Sequence, residues 1–262
     1  MDRGKLPMQN GGLRTRGITK TGTPAHPLIT VVTVVYNGAA TLEQTILSVV
    51  NQTYDNVEYI IIDGASTDGT LDIVKKYEDK IDYWQSEPDK GIYDAMNKGI
   101  GLATGDYIAM LNSGDWYERA AVSEVVTVVK NEPKSDIIYA MMRIFSEKKK
   151  FLWVYGYGHN YIKHSMISHP TSFVKKTLYK KHKYNLNYRS AADYDLFLTF
   201  YQEEHTFYFV EKILGNYILG GMSDSFIGKK ESVLVQYKHK TISFLPFVLK
   251  YLYCSLMKFI KD

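Results

Sequence analysis

Leu28-Ile-Thr-Val-Val-Thr-Val-Val35 decides the fold class, because all eight of its residues are β-branched or apolar. A strand without polar alternation is typical of a sheet that is covered on both faces, as parallel sheets are. The turn Tyr36-Asn37-Gly38 ends this strand, and apolar residues follow it at helical spacing between Leu42 and Val50. The sequence therefore predicts a strand and helix unit of an α/β fold.

The same alternation continues downstream. Further strands are predicted over residues 57–62, 81–84 and 107–111, with helices between them. This pattern predicts a Rossmann-like, mostly parallel central sheet flanked by helices, with right-handed crossovers. Ligands of such sheets bind beyond the carboxyl ends of the strands. Polar clusters follow three predicted strands at these ends: Tyr36-Asn37, Asp63 and residues 112–115.

The bulk composition narrows the class of protein. A length of 262 residues fits one large α/β domain. A single cysteine, Cys254, excludes an internal disulfide and a CxxC zinc or redox site, and it indicates a reducing compartment. We expect no secretory signal in residues 1–16 and no spanning helix, which needs about 20 apolar residues. The net charge of +4 does not indicate nucleic-acid binding.

Several motifs, in this order and spacing, resemble the opening of family 2 glycosyltransferases. They are Val34-Val35-Tyr36-Asn37, Ser48-Val49-Val50-Asn51-Gln52-Thr53-Tyr54, Ile61-Ile62-Asp63-Gly64-Ala65-Ser66-Thr67-Asp68-Gly69-Thr70 and, in place of the family's DxD-type motif, Leu111-Asn112-Ser113-Gly114-Asp115-Trp116. The block Glu87-Pro88-Asp89-Lys90-Gly91-Ile92-Tyr93-Asp94-Ala95-Met96-Asn97-Lys98-Gly99-Ile100 is similar to a subgroup that builds bacterial surface polysaccharides of the colanic-acid type. After Tyr117 the resemblance rests on His169-Pro170, Ala192-Asp193-Tyr194-Asp195 and Gly220-Gly221-Met222-Ser223.

The resemblance implies a GT-A fold and a role for each motif. Tyr36 would lie against the nucleotide base, and Asp63 would bond to it. Asp89 and Lys90 would face the nucleotide or its phosphates. Asp193 would be the catalytic base, with Asp195 as the competing candidate. The other nucleotide-sugar-binding residues that we expect are Val35, Asn37, Asn97, Asn112, Ser113 and Gly114, and the expected acceptor residues are Trp116, His169 and Asp195.

A divalent metal is implied at Asp115. Mn²⁺ and Mg²⁺ prefer oxygen ligands, often one or two carboxylates together with phosphate. The chain departs from the family at two places, because the family often has two acids where this chain has Asp63-Gly64 and two where it has Gly114-Asp115. Asp115 is the position usually tied to the metal. We therefore expect Mn²⁺ or Mg²⁺ as the cofactor.

The predicted organisation has four parts. Residues 1–27 would be a flexible leader, 28–117 the nucleotide-sugar-binding half of a single domain, 118–225 its acceptor-binding half, and 226–262 an amphipathic helical tail. Apolar and aromatic residues with interspersed lysines fill residues 242–260. This pattern suits a helix lying on anionic lipid, and equally a helix packed on the domain or on a second copy.

The function predicted from these features is an inverting glycosyltransferase. It would move a sugar from a nucleoside-diphosphate sugar, UDP-linked, to a glycan or lipid-linked acceptor in bacterial surface polysaccharide biosynthesis. We expect a cytoplasmic protein, peripheral on the inner face of the plasma membrane, that does not bind nucleic acid. Two alternatives remain at this point: a non-catalytic sugar-nucleotide binder or assembly scaffold, and a sugar nucleotidylyltransferase.

Overall fold

A computed structural model describes residues 7–221 and 225–256 of the chain. The strands are β1 (Gln9–Gly11), β2 (Ile29–Val35), β3 (Val57–Asp63), β4 (Tyr83–Ser86), β5 (Tyr107–Met110), β6 (Trp116–Tyr117), β7 (Ile137–Phe145), β8 (Phe151–Tyr155), β9 (Phe173–Lys175) and β10 (Phe207–Ile218). The α-helices are α1 (Leu42–Val50), α2 (Thr70–Lys76), α3 (Ile92–Leu102), α4 (Ala121–Asn131), α5 (Lys176–Lys181), α6 (Ala192–Gln202), α7 (Phe226–Lys238) and α8 (Phe244–Leu256).

These strands form one sheet in the order β1-β4-β3-β2-β5-β9-β7-β10-β6, with β8 paired to β7. The neighbours β4, β3, β2 and β5 are parallel, and so are β7 and β10. The short β9 runs antiparallel to both β5 and β7 and thereby joins the two groups. The sheet is continuous across the two predicted halves, and the predicted α/β architecture is confirmed.

Burial explains why β2 and β3 lie at the centre of the sheet. All seven residues of each strand are buried, as the mostly apolar and β-branched sequence of β2 and the run Tyr59-Ile60-Ile61-Ile62 of β3 favour. Val32 and Ile60 pack into the layer that contains α3 and α6, whereas Val31 and Ile61 pack into the layer that contains α1 and α4. A fully buried Val or Ile side chain contributes about 1.5–3 kcal/mol, so these two strands anchor the fold.

The prediction of a flexible leader is wrong for residues 7–27. β1 pairs with β4, and a 3-10 turn over Leu13–Arg16 follows it. Arg14 bonds to the carboxylate of Glu58, and Lys20 donates to Asp82 at 2.9 Å. Both acids are 1% exposed, and a buried carboxylate is unfavourable unless it is paired. The basic residues of this segment therefore belong to the fold; residues 1–6 lie outside the described residues.

The predicted helical tail corresponds to α7 and α8. The two helices pack through Tyr237 and Phe247, whose rings stack at 4.3 Å between centroids. The part of the tail over 257–262, and Met222-Ser223 of the second-half motif, lie outside the described residues. None of the described helices is long and apolar enough to cross a bilayer.

Candidate active site

The polar clusters meet at the carboxyl ends of β2, β3, β4 and β5. Backbone bonds bring them together: Gly64 N–H donates to the carbonyl of Val35 at 2.9 Å, and Ser113 N–H donates to that of Val34 at 3.2 Å. Val35 itself is buried, so only its main chain can face a ligand. The position of this cleft agrees with the rule for ligand sites in parallel sheets.

Asp63 lies on the floor of the cleft and is 1% exposed. Its carboxylate accepts hydrogen bonds from Ser86 Oγ at 2.6 Å, from Ser66 N–H at 3.1 Å and from Ser66 Oγ. A carboxylate offers about four acceptor directions, so these bonds fix its orientation and leave one direction for a ligand. The predicted contact with a nucleotide base stays a prediction.

Asn37 serves the turn that carries Tyr36. Its backbone has a positive φ of 48°, a region that asparagine tolerates better than most residues. Asn37 N–H donates to Ser66 Oγ at 2.7 Å, and its side-chain oxygen accepts from Thr67 N–H at 2.9 Å. This turn holds Tyr36 at the surface, where it is 43% exposed.

The carboxylate of Asp89 lies close to the backbone of Gly64 and takes up the room that a side chain there would need. A Cβ atom built on Gly64 would lie 2.5 Å from Asp89 Oδ2 and 3.3 Å from Tyr36 Cδ2. Asp89 Oδ1 accepts a bond from Gly91 N–H at 2.8 Å, and burial raises the pKa of Asp89 above its ordinary value. The carboxylate of Asp89 thus stands where a side chain at position 64 would begin. The neighbouring Lys90 is exposed at the rim.

Asp115 is 5% exposed, and burial raises its pKa to about 8, against the effect of a hydrogen bond from the backbone of Ile218. Among the described residues it has no ion-pair partner. A nearby cation would favour the charged form of such a carboxylate. Its donor chemistry therefore fits a divalent metal that takes its other ligands from phosphate and water.

The backbone conformation at Gly114 accounts for a glycine at this position of the family motif. Its φ is 104°, in the left-handed region where glycine is unstrained and other residues are not. Gly114 N–H donates to Thr45 Oγ1 at 3.0 Å, and that hydroxyl donates to the carbonyl of Asp115 at 2.8 Å. Asn112 closes the same turn by accepting from Asp115 N–H at 3.1 Å, and Ser113 Oγ lies 3.2 Å from Thr41 Oγ1.

The hairpin of β7 and β8 forms a wall beside this loop. The ring of Trp116 lies 5.1 Å from that of Phe145, which lies 6.0 Å from Phe151. At the turn of the hairpin, Lys149 Nζ donates to Gln44 Oε1 on α1 at 2.8 Å. Trp116 is half-buried, so one part of its indole packs on protein and the rest can face an acceptor.

Asp193, the second residue of α6, is joined to the other half of the cleft by Tyr93. Tyr93 Oη donates to Asp193 Oδ1 at 3.1 Å. Burial and the charge of Asp193 raise the pKa of Tyr93, so the phenol stays protonated as a donor. Tyr93 was not predicted as a site residue, although it lies four residues before Asn97 on the same face of α3.

A second layer of polar groups lies behind Asp193. Tyr184 stacks on Tyr93 at 5.5 Å, and Tyr184 Oη lies 3.0 Å from His169 Nε2. The side-chain amide of Asn97 bonds to both the N–H and the carbonyl of Tyr184, at 3.0 and 2.8 Å. Asn97 is therefore engaged with protein, and Tyr184 carried no sequence signal.

Two predicted acceptor residues are bonded to other parts of the protein. His169 is 9% exposed between Tyr184 and Phe197, and burial lowers its pKa despite the opposing charge of Asp193. It supports the wall from behind. Asp195 is 8% exposed and bonds to Lys238 Nζ and His239 Nε2, each at 2.9 Å. The carboxylate of Asp195 is thus engaged with the end of α7 and faces away from that of Asp193, since residues two apart on a helix do not face the same way; its assignment to the acceptor site stays a prediction.

Comparisons with known proteins identify the family to which this chain is similar. The model of the family described as Glycosyl transferase family 2 matches residues 30–206. A PGL/p-HBAD biosynthesis glycosyltransferase of Mycobacterium tuberculosis is 30% identical over 176 residues, which are 65% of this chain and 68% of the relative. An uncharacterized glycosyltransferase of Haemophilus influenzae is 29% identical over 191 residues, which are 64% of this chain and 58% of the relative.

Solved structures share the fold. TarS of S. aureus, residues 1–349 in complex with UDP-GlcNAc, superposes with a TM-score of 0.67 at 17% identity, covering 79% of this chain. This chain spans 64% of that one. The mannosyltransferase PcManGT from Pyrobaculum calidifontis, in complex with GDP-Man and Mn²⁺, gives a TM-score of 0.66 at 15% identity and covers 96% of this chain and 72% of its own. The predicted GT-A fold is thereby confirmed.

Proposed function

Because the chain belongs to glycosyl transferase family 2, we propose that it is an inverting transferase using a nucleoside-diphosphate sugar, with UDP as the nucleotide. The acceptor is a hydroxyl of a glycan or lipid-linked sugar in bacterial surface polysaccharide biosynthesis. One observation carries the proposal: Tyr93, from the segment that follows β4, holds Asp193 of α6 at 3.1 Å and so brings a carboxylate to the donor-binding cleft. The complex of TarS with UDP-GlcNAc supports the choice of donor.

The reaction follows from this placement. Asp193 takes the proton of the acceptor hydroxyl while the oxygen attacks the anomeric carbon. The bond from that carbon to the diphosphate oxygen breaks, and the nucleoside diphosphate leaves with the electron pair. A single displacement inverts the anomeric centre. Tyr36 and Asp63 hold the base, and Asp89, exposed Lys90 and the loop over 112–114 face the ribose and phosphates.

A divalent cation, Mn²⁺ or Mg²⁺, would be held by Asp115 and the diphosphate, and it would offset charge on the leaving group. PcManGT was solved with Mn²⁺ and a similar fold, which supports this part of the proposal. The glycine at position 114 has a conformational reason, so the missing acid there does not favour a non-catalytic scaffold.

Peripheral contact with the cytoplasmic face of the membrane is part of the proposal. On α8 the side chains of Phe244, Leu245, Leu249, Leu252 and Tyr253 are 53–67% exposed. Lys229, Lys230 and Lys250 lie on the same pair of helices, as expected for an apolar face that meets anionic lipid. Flotation with vesicles containing anionic lipid should carry the full chain but not a chain ending at Lys240. Equal flotation of both would contradict this contact.

The test of the proposed reaction is Asp193→Asn. We expect a loss of about 10²–10⁴ in turnover, the usual worth of a general base, with donor binding retained. Asp72→Asn, at an exposed position of α2, is the matched control. Turnover of Asp193→Asn close to that of the control would refute the assignment, and so would retention of the donor's anomeric configuration in the product.

A further inference from the structure

The chain that enters the first turn of α6 is held by a carboxylate from another helix. Glu231, in the middle of α7, accepts from the N–H groups of Arg189, Ser190 and Ala191 at 3.0, 2.8 and 3.1 Å. Its second oxygen also lies 3.0 Å from Arg189 N. Ala191, the residue before α6, supplies no side-chain cap of its own. Glu231 therefore satisfies three consecutive backbone donors in the segment that leads into α6.

A second contact holds the same turn from the other side. Asp195 bonds to Lys238, the last residue of α7, and to the adjacent His239. Although burial opposes its ionisation, these bonds lower the pKa of Asp195 below its ordinary value. Asp193 lies between the two attachments, so α7 holds the backbone immediately before it and the side chain two residues after it.

We propose that Glu231 is a positioning residue for Asp193. It does not reach the cleft; it fixes the chain at residues 189–191, and through it the direction of the Asp193 carboxylate. The hydrogen bond from Tyr93 sets one oxygen of that carboxylate, and the attachment to α7 sets the backbone from which the side chain projects. This inference rests on the proposed function, in which Asp193 accepts the proton.

The magnitude follows from how sharply general-base catalysis depends on geometry. A displacement of about 1 Å at a reacting group can cost about 10²-fold in rate. Glu231→Ala removes all the carboxylate bonds to the 189–191 backbone, so we expect kcat to fall by about 10- to 100-fold. The Kd for UDP should not change, because the proposed nucleotide contacts follow β2, β3, β4 and β5 and none of them lies on α6 or α7. Glu231→Gln keeps one acceptor oxygen and should recover most of the loss.

A double variant separates positioning from general destabilisation. Residues that act as one unit give non-additive losses, so Glu231→Ala should cost less than about twofold when added to Asp193→Asn. Glu211→Ala, at an exposed position of β10, is the matched control and should leave kcat unchanged. An equal loss from Glu231→Ala with and without Asp193→Asn would overturn the proposal, as would a kcat for Glu231→Ala equal to that of Glu211→Ala.

Amide hydrogen exchange gives a readout that does not depend on activity. Glu231→Ala, and to a smaller extent Glu231→Gln, should accelerate exchange at residues 189–195 while β2 and β3 stay protected. Unchanged exchange at 189–195 would refute the positioning role even in a chain that transfers no sugar. Absence of transfer by the unmodified chain with every donor tried would instead refute the proposed function.

Discussion

Gly64→Ala tests how the cleft is assembled, because it adds one methyl group beside Asp89. The new Cβ would lie 2.5 Å from Asp89 Oδ2, about 1 Å inside ordinary van der Waals contact, and 3.3 Å from Asp89 Cγ. The backbone of Gly64 is not in the left-handed region, so alanine is not strained there. The carboxylate of Asp89 must therefore move.

The expected result is a loss of nucleotide affinity with little loss of stability. The obstructing atom is the end of a side chain, so the free energy of unfolding should change by less than about 1 kcal/mol. A hydrogen bond to a charged group is worth about 1.5–3 kcal/mol, and a displaced Asp89 loses the lower end of that range, about 10-fold in the Kd for UDP. Calorimetry with UDP and Mn²⁺, together with thermal unfolding, measures both quantities.

Gly101→Ala is the matched control, since no atom lies within 4 Å of a Cβ at that position of α3. It should bind UDP as the unmodified chain does and be slightly more stable, because glycine weakens a helix. Combining Gly64→Ala with Asp89→Ala should give the Kd of Asp89→Ala alone. A Kd for Gly64→Ala within about twofold of that for Gly101→Ala would refute the reasoning.

Three further expectations follow from contacts elsewhere in the fold. Tyr93→Phe removes one hydrogen bond from Asp193 and should lower kcat by about 10-fold or less while the Kd for UDP stays unchanged; a kcat equal to that of the unmodified chain would contradict this. Asp115→Asn should abolish the extra thermal stabilisation that Mn²⁺ adds to UDP, and a Mn²⁺ effect equal to that in the unmodified chain would exclude Asp115 as a ligand. Arg14→Ala leaves the buried carboxylate of Glu58 without its cation and should cost about 3 kcal/mol at neutral pH. Burial opposes ionisation of Glu58, but hydrogen bonds from Thr104, Thr30 and Arg14 hold its pKa below 4.5. The loss of stability in Arg14→Ala should therefore shrink as the pH falls below that value. A loss that denaturant unfolding finds independent of pH would contradict this expectation.

The sequence predicted the donor-binding half better than the rest because its signals there are local. The apolar runs of β2 and β3 and the turns after them follow from residues adjacent in the chain. The ordered structure of residues 7–27 could not be predicted from residues adjacent in the chain. Their basic side chains reach Glu58 and Asp82, acids more than 40 residues away, and the sequence does not show which acid will be buried.

The second half was harder because packing overrides local preference there. α4 is rich in valine, a poor helix former, and was not predicted; its Val122, Val125 and Val126 are buried in the same layer as β2. β10 is one strand although the polar pair Glu211-Lys212 interrupts its apolar sequence, because the register shifts between Val210 and Ile213 and this irregularity accommodates the pair. The motif Ala192-Asp193-Tyr194-Asp195 offers two acids, and only packing distinguishes them, because Asp195 bonds to Lys238 and His239 whereas Asp193 accepts from Tyr93.

The two glycines at which this chain departs from the family pattern arise from different constraints. At Gly64 the constraint is space, because a side chain there would displace the carboxylate of Asp89, an acid from the segment after β4. At Gly114 the constraint is the left-handed backbone, and Asp115 is the one acid of the segment Leu111-Asn112-Ser113-Gly114-Asp115-Trp116. The cleft therefore keeps its negative charge on the side proposed for the nucleotide and loses one at the proposed metal site. A cation bound by Asp115 depends more heavily on the diphosphate for its remaining ligands, which ties metal and donor into a single binding event.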